Sequence, residues 1–179
     1  MMVFISGGCK NGKSTFAQNV AKKYCQNGKL YYIATMIPHD EEDEARVRRH
    51  LAERDGWGFE TVEQGTDIHL ARDRLDRHSS VLMDSVTALL SNEMFKPGGV
   101  YCPDVKEKVA EELLAVCDWV DHIVLVSDFI YSDAEIYDEY SENYRRSLAY
   151  VDRRLAGRAD AVVEVCSRNL IFHKGAVAL

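Results

Sequence analysis

The sequence predicts an α/β fold with a mainly parallel sheet and a C-terminal antiparallel hairpin. Short apolar segments rich in β-branched residues alternate with longer segments of helical periodicity, which is typical of βαβ units. A glycine-rich loop stands between the first apolar segment and the first helical one. Two apolar segments separated by a short polar turn end the chain. At 179 residues, we expect a single domain over residues 1–179 with a core of its own.

The first half of the chain alternates strands and helices. Apolar runs predict the strands, and apolar residues three or four positions apart predict the helices, as with Phe16, Val20 and Tyr24 in the first helix. The helix over 40–54 carries acids in its first turns and bases later, which suits the helix dipole. The predicted elements are strand 2–6, helix 15–27, strand 30–35, helix 40–54, strand 59–63, helix 67–77, strand 81–84 and helix 86–95.

The second half begins with a glycine- and proline-containing loop over 96–103, which we expect to be mobile. A helix over 104–119 follows, with Asp104 as its predicted N-cap and Glu107 three residues later. A buried strand is predicted over 122–127. Apolar and aromatic residues at helical spacing from Ile136 to Leu155 predict a long helix. Strands 161–166 and 170–172 form the predicted hairpin, with its turn at 167–169.

The composition excludes several classes of protein. A net charge of −7, from 22 basic and 29 acidic residues, argues against a general binder of nucleic acid or of membrane surfaces. The chain has no apolar run long enough to span a membrane. The N-terminus leads directly into the first strand, so we expect no signal peptide. The five cysteines are widely spread and form no metal-ligand spacing, which favours reduced thiols and a cytoplasmic protein.

The glycine-rich segment Gly7–Ser14 has the spacing G-x-x-x-x-G-K-S of a P-loop. Its backbone N–H groups and the following helix N-terminus make an anion site, which predicts binding of a nucleoside triphosphate. Lys13 is expected to reach the terminal phosphates, and the Ser14 hydroxyl to ligate Mg²⁺. A glycine turn that matches the pattern by chance is the alternative. The predicted nucleotide-binding residues of this segment are Gly7, Gly8, Cys9, Lys10, Asn11, Gly12, Lys13, Ser14 and Thr15.

A P-loop enzyme needs an acid at the end of a neighbouring strand to hold the Mg²⁺ shell. The strand Val81–Asp84 ends in such an acid, so Asp84 is predicted as the metal partner of Ser14. The alternative is an ordinary strand-end aspartate that caps the next helix. Asp128 also follows an apolar strand and is the reserve candidate.

His50 lies in a stripe of charged residues on the predicted helix 40–54. Arg46, His50 and Arg54 are four residues apart and share one helical face, where two guanidiniums would hold a phosphate against the imidazole. They would also disfavour its protonation and keep the ring nucleophilic, and Glu53 could orient the other ring nitrogen. Spacing alone favours the alternative of a surface histidine on a solvated helix.

Three of these segments together resemble one family. The chain resembles the bifunctional adenosylcobinamide kinase / adenosylcobinamide-phosphate guanylyltransferase family of cobalamin biosynthesis over nearly its whole length. Its apolar strand and P-loop are followed by Tyr32-Ile33-Ala34-Thr35, as in that family. The segment from Arg46 to Arg54 is similar to the family's R-[IV]-x-x-H-x-x-x-R element, and 84–92 to its acid-x-x-T…N stretch.

The resemblance implies a RecA-like three-layer P-loop domain that forms homo-oligomers, typically trimers. It also implies phosphorylation of adenosylcobinamide by ATP or GTP, followed by transfer of GMP from GTP through a histidine to adenosylcobinamide phosphate. By resemblance, His50 is the guanylylated residue, and Lys13, Asp84 and Mg²⁺ stabilise charge on the phosphates. Arg46, Arg49 and Arg54 are then expected to contact the nucleotide.

The chain departs from the family pattern in one region. Where the family has T-N-E-V-G and a G-x-x-P stretch, residues 127–136 lack the glycine and the proline, so this loop must follow another path. Asp55 replaces an expected proline, and Asp152 replaces the usual asparagine of a later helix. Two alternatives therefore stay open: a P-loop kinase for another acceptor without nucleotidyl transfer, and a nucleotide-binding regulatory module.

Overall fold

The computed structural model of the protein describes residues 1–26, 28–38 and 40–177, and the side chains of Arg46, His50 and Glu53 lie outside the described set. The strands are β1 (Met2–Gly7), β2 (Leu30–Ala34), β3 (Glu60–Glu63), β4 (Ser80–Asp84), β5 (Phe95–Lys96), β6 (Val100–Tyr101), β7 (His122–Asp128), β8 (Ala161–Cys166) and β9 (Asn169–Lys174). The helices are α1 (Lys13–Tyr24), α2 (Glu41–Glu53), a 3₁₀ helix (Ile68–Arg74), α3 (Val86–Met94), α4 (Lys106–Trp119) and α5 (Glu139–Arg158).

The main sheet has seven strands in the order β3-β2-β4-β7-β1-β8-β9. The first six strands in this order, which are β3, β2, β4, β7, β1 and β8, pair with their neighbours in parallel. The last strand, β9, pairs with β8 in the antiparallel direction. Apolar runs without polar alternation suit such strands because helices cover both faces of a parallel sheet. The predicted mainly parallel sheet and the C-terminal hairpin are therefore confirmed.

The core is divided between the two faces of the sheet, as the alternation along β1 illustrates. Val3 and Ile5 point to the layer that contains α1, whereas Phe4 points to the opposite layer. The second layer is formed by α3, α4, α5 and the 3₁₀ helix, and its fully buried residues include Leu113 and Leu148. Successive strand residues face opposite sides of a sheet, so the pattern gives three layers, as the RecA-like expectation requires.

Two predicted helices differ from the structure in length or in type. The segment predicted as a helix over 67–77 is a shorter 3₁₀ helix, in which Ile68 and Ala71 are buried three residues apart. Three residues make one turn of a 3₁₀ helix, so this spacing fits it. The predicted N-cap Asp104 is wrong, because α4 begins at Lys106 and Val105 is its first flanking residue. Asp104 lies in a turn, one position too early to accept from the first helical N–H groups.

The segment 96–103, predicted as a mobile loop, contains part of a small hairpin. Phe95 pairs with Tyr101 and Lys96 pairs with Val100 in the antiparallel direction. Gly98 and Gly99 supply the left-handed backbone of the turn, with φ of 80° and 77°. Two pairs of residues are too few for a pattern of alternation, which is why the sequence predicted only a loop.

The long helix of the second half begins later than predicted. Ile136 is 97% exposed and precedes α5, whose N-cap is Asp138. The Asp138 carboxylate accepts from the backbone N–H groups of Tyr140 and Ser141 at 2.9 and 3.0 Å. The first helix, predicted over 15–27, begins and ends earlier than predicted, because α1 begins at Lys13 and ends at Tyr24. Its predicted last residue, Asn27, is outside the described residues.

Among the described residues, no helix combines the length and the apolar character that a membrane span requires.

Candidate active site

The P-loop, residues 7–14, connects the carboxyl end of β1 to the first turn of α1. β7 lies beside β1 and β4 lies beside β7, all in parallel, so Asp128 and Asp84 end their strands at the same edge of the sheet. Open parallel sheets bind ligands outside this edge. The strand register therefore brings two carboxylates next to the glycine loop.

The loop lies close against β8. Gly7 is paired with Val165, and a Cβ on Gly7 would clash with the Val165 carbonyl oxygen. The Asn11 side chain donates to that same carbonyl oxygen. Gly12 flanks the start of α1 with φ of 97°, a left-handed conformation that glycine adopts without strain. The predicted nucleotide-binding residues that this loop leaves exposed are Gly8, Cys9, Lys10, Gly12 and Thr15.

Lys13 is the buried cation of the site. Its Nζ donates to the Gly8 carbonyl oxygen at 2.6 Å and forms an ion pair with Asp128 Oδ1 at 2.8 Å. Its side chain is only 6% exposed, whereas that of Asp128 is 28% exposed. The sequence suggested Asp128 only as a reserve metal ligand, and its contact with Lys13 was not predicted. The ion pair holds the ammonium group above the loop, where a phosphate would compete for it.

Ser14 and Asp84, the two predicted metal ligands, lie within hydrogen-bonding distance of each other. The Ser14 hydroxyl donates to Asp84 Oδ2 at 3.1 Å. Both side chains are partly buried and offer oxygen atoms, which are the ligands that Mg²⁺ prefers. One hydroxyl and one carboxylate are also the set that P-loop proteins use for this ion. The donor set therefore fits Mg²⁺.

Arg54 stacks on Tyr32, the aromatic neighbour of Asp84. The guanidinium carbon is 3.5 Å from the centre of the Tyr32 ring, and Arg54 is only 8% exposed. Burial, and next the nearby Asp84 carboxylate, raise the pKa of Tyr32. An arginine that is buried against an aromatic ring is held in one place and is attracted to the face of that ring. A direct contact of Arg54 with a nucleotide stays a prediction.

Helix α2 carries the proposed nucleophile. Asp40 caps this helix by accepting from the Asp43 N–H at 2.8 Å, as the acidic start of the segment suggests. The backbone of Arg46 and His50 is helical, but the placement of both side chains is outside the described set, as is that of Glu53. Arg49 is exposed. The predicted stripe is therefore described only at its Arg54 end, and the role of His50 stays a prediction.

The segment 84–92 positions the loops at the edge of the sheet. The Thr35 hydroxyl donates to the Ser85 carbonyl oxygen at 2.8 Å and accepts from the Ser85 N–H at 2.7 Å, next to a cis peptide between Asp84 and Ser85. The Thr87 hydroxyl accepts from the Asp128 N–H at 2.8 Å. Asn92 donates to the carbonyl oxygens of Thr35 and Gly65. These contacts give a structural reason for the threonine and asparagine of the acid-x-x-T…N stretch.

The region that departs from the family pattern rests on a buried carboxyl group. Asp152 Oδ2 accepts from the Ser127 hydroxyl at 3.0 Å and from the Tyr131 hydroxyl at 3.2 Å. Asp152 is 2% exposed, and its Oδ1 has no hydrogen-bond partner among the described residues. Burial raises the pKa of Asp152 to about 7, and the nearby Asp128 carboxylate adds a smaller increase. The two hydrogen bonds act in the opposite direction and lower this pKa.

Arg145 holds the outer part of the same region. Its Nε donates to the Ile130 carbonyl oxygen at 3.0 Å, and its guanidinium pairs with Asp133 at 2.9 Å. Phe129 and Ile136 stay 44% and 97% exposed beside these anchors. The region therefore has polar anchors at both its inner and its outer part, and two apolar side chains that face solvent.

Comparisons with known proteins agree with these features. A sequence model of the family "Cobinamide kinase / cobinamide phosphate guanyltransferase" matches residues 3–169. The chain is 27% identical over 178 residues to the bifunctional adenosylcobalamin biosynthesis protein CobU of Salmonella typhimurium, covering 93% of this chain and 96% of that protein. It is 28% identical over 179 residues to the CobU protein of Escherichia coli, with the same coverage of 93% and 96%.

Solved structures of ATPases share the fold. One solved ATPase domain superposes with a TM-score of 0.56 at 12% identity, covering 99% of this chain and 78% of that chain. A prototypical ATPase of the type III secretion system of pathogenic bacteria gives 0.51 at 14% identity, covering 91% and 50%. Identities this low establish the RecA-like fold alone. The family model spans nearly all of the sequence, and the protein therefore belongs to the cobinamide kinase / cobinamide phosphate guanyltransferase family.

Proposed function

We propose that the protein phosphorylates adenosylcobinamide with a nucleoside triphosphate and then transfers GMP from GTP to the product. Family membership supports the overall reaction. The observation that carries the proposal is the convergence of Lys13, Ser14 and Asp84 at the P-loop edge, with Ser14 and Asp84 3.1 Å apart. A nucleoside triphosphate bound there would have its terminal phosphates between a buried cation and a metal-binding pair.

In the kinase step, the aminopropanol hydroxyl oxygen attacks the γ-phosphorus, the bond to the β-phosphate oxygen breaks, and the hydroxyl proton is lost. Lys13 exchanges its ion pair with Asp128 for the transferred phosphate and stabilises the charge on its oxygens. Asp128, released from Lys13, is then placed to accept the hydroxyl proton. Ser14 and Asp84 would hold Mg²⁺, which neutralises charge on the phosphate oxygens when bound.

In the guanylyltransferase step, a ring nitrogen of His50 attacks the α-phosphorus of GTP and pyrophosphate leaves. A phosphate oxygen of adenosylcobinamide phosphate then attacks the same phosphorus, which releases His50 and gives adenosylcobinamide-GDP. The resemblance of the segment 46–54 to the family's histidine element supports this assignment. By the same resemblance, we expect a homo-oligomer, with a trimer as the first candidate for light scattering to test.

The test of the histidine is a labelling experiment. The wild-type protein is incubated with GTP labelled at the α-phosphate and then denatured, and a phosphoramidate that is labile in acid and stable in alkali is expected. His50→Ala should lose the label and keep GTP binding, whereas His78→Ala, whose side chain is 85% exposed, should keep both. An unlabelled wild-type protein that still binds GTP would exclude the guanylyltransferase step.

The second candidate is a P-loop kinase for another acceptor without nucleotidyl transfer. The observation that favours it is the region 127–138, where Asp152 and Arg145 hold a backbone that lacks the family's glycine and proline. Release of ADP or GDP is measured with cobinamide and with other small alcohols as acceptors. Turnover that depends on another acceptor, with no labelling of His50, would favour this candidate. Tight nucleotide binding without any acceptor-dependent turnover would instead indicate a regulatory module.

A further inference from the structure

The turn of the C-terminal hairpin lies beside the P-loop. β8 pairs with β1 in parallel with Gly7 opposite Val165, so both strands end at the same height. Asn11 donates to the Val165 carbonyl oxygen, which fastens the loop to the last residues of β8. A Cβ built on Gly12 would lie 4.0 Å from Cγ of Arg168, the second residue of the turn. The Arg168 side chain therefore passes next to the last glycine of the loop.

The backbone of this turn is unusual for its residues. Ser167 and Arg168 have φ of 50° and 66°, in the left-handed region. A two-residue hairpin turn requires this conformation, and glycine and asparagine adopt it most easily. A residue with a side chain costs about 1 kcal/mol in this region, so arginine is a poor choice for the turn itself. Such an outlier beside a binding loop suggests that the side chain is kept for a contact.

The Arg168 guanidinium also lacks a partner within the chain. Its side chain is exposed, and across residues 1–26, 28–38 and 40–177 we find neither an ion pair nor a hydrogen bond to it. Arg145, by contrast, binds Asp133 and Glu142. An unpaired guanidinium next to a loop of backbone N–H donors suits an anion, because its planar fork matches phosphate oxygens.

The order of the strands indicates which part of a nucleotide the guanidinium would contact. Asp84 and Asp128 end β4 and β7, which lie on one side of β1, whereas β8 lies on the other side. Lys13, Ser14 and the two carboxylates thus mark the side of the metal ion and the terminal phosphates. Arg168 stands on the opposite side. If the terminal phosphates bind between Lys13 and the Ser14–Asp84 pair, the α-phosphate and the nucleoside would extend toward this side of the loop.

We propose that Arg168 is a positioning residue that binds the α-phosphate of the nucleotide from the β8 side of the P-loop. This inference rests on the proposed nucleotide binding at the P-loop and deepens it. It assigns two cations to two parts of one ligand. Lys13 binds the terminal phosphates, and Arg168 binds the α-phosphate, whose phosphorus His50 attacks in the proposed reaction. Removal of Arg168 should therefore weaken ligands with an α-phosphate on a nucleoside more than ligands without one.

The test compares three variants. Arg168→Gly removes the guanidinium and leaves a residue that prefers the left-handed turn, and Arg168→Lys keeps the charge without the fork. Arg77→Ala is the matched control, because it removes an exposed arginine just before β4, at the opposite edge of the sheet. Calorimetry gives the Kd of each variant for GTP, GMP and inorganic pyrophosphate in the presence of Mg²⁺. Thermal unfolding of each variant verifies its fold.

For Arg168→Gly we expect the Kd for GTP and GMP to rise about tenfold, the usual effect of losing one charge-assisted contact. The Kd for pyrophosphate, which matches only the two terminal phosphates, should change by less than about twofold. Arg168→Lys should lie between the two, Arg77→Ala should match the wild type, and Arg168→Gly should unfold at the wild-type temperature or above. Equal GTP binding by Arg168→Gly and the wild type would overturn the inference alone. An equal loss of affinity for GTP and for pyrophosphate would overturn the α-phosphate assignment. A wild-type protein that binds none of these ligands would overturn the proposed function as well.

Discussion

Replacement of Asp152 by asparagine should make the stability of the protein less dependent on pH, so that the variant gains stability relative to the wild type as the pH rises. Asp152 is 2% exposed and accepts hydrogen bonds from Ser127 and Tyr131 through a single oxygen. An asparagine carbonyl oxygen can accept both hydrogen bonds, so the substitution preserves these contacts and removes the ionisation. Its amide group replaces Oδ1, which has no partner among the described residues, and this cost is the same at every pH. The titratable neighbours that remain are Asp128, Tyr131 and Tyr144.

The magnitude follows from the difference between the folded and the unfolded pKa. Burial raises the pKa of Asp152 from 3.8 to about 7, so between these values the folded protein keeps a proton that the unfolded chain releases. The free energy of unfolding therefore falls as the pH rises, by about 1.4 kcal/mol for each pH unit in this range. The contribution of Asp152 to folding falls from about pH 4 to about pH 7 and is constant above. Between pH 5 and pH 8 this amounts to a loss of about 2 to 3 kcal/mol.

The assay is urea unfolding of the wild type, Asp152→Asn and the control Asp73→Asn at pH 5 and pH 8. Asp73 is an exposed residue of the 3₁₀ helix, and Asp73→Asn controls for the loss of an aspartate at the surface. The stability advantage of Asp152→Asn should grow by about 2 to 3 kcal/mol between the two pH values. An equal pH dependence of Asp152→Asn and the wild type would refute the assignment of a raised pKa to this buried carboxyl group.

Two further substitutions test the packing that positions the site. Gly7→Ala should lower the free energy of unfolding by about 1–3 kcal/mol, because its Cβ would clash with the Val165 carbonyl oxygen. The control Gly8→Ala should leave it unchanged, because a Cβ on Gly8 meets no atom within 4 Å. Thermal unfolding of the two variants measures the difference. Leu148→Ala in α5 should lower the free energy of unfolding in urea by about 2–5 kcal/mol, because Leu148 is 0% exposed. The control Leu70→Ala, at 48% exposure, should change it by about 0.5 kcal/mol or less. Similar losses for both leucines would contradict the assignment of the core.

The sequence was sufficient for the parts of the fold that follow from local pattern. Apolar runs that end in Asp84 and Asp128 identify buried parallel strands, and parallel strands deliver their carboxyl ends to one edge. The proximity of Ser14 and Asp84 could be anticipated for that reason, although they are far apart in the chain. The C-terminal hairpin was predictable because its turn separates two apolar runs by only a few residues.

The sequence was insufficient where small energies or distant contacts decide. A short helical segment with Ile68 and Ala71 on its buried side fits an α-helix and a 3₁₀ helix equally well by pattern. The stacking of Arg54 on Tyr32 depends on how the end of α2 meets β2, and no local signal carries that information. The same holds for the approach of Arg168 to Gly12, which arises from the pairing of β8 with β1.

The region 127–138 explains how a loop without the family's glycine and proline is held in place. Tyr131 and Ser127 bind Asp152 on the inner side, and Arg145 binds the Ile130 carbonyl oxygen on the outer side. These hydrogen bonds tie the segment to two residues of α5. An asparagine at position 152 would serve the inner anchors equally well, so hydrogen bonding does not account for the aspartate. What the aspartate adds is a titratable group near Asp128, the partner of Lys13, so this departure from the family pattern places a second carboxyl group close to the ion pair of the P-loop.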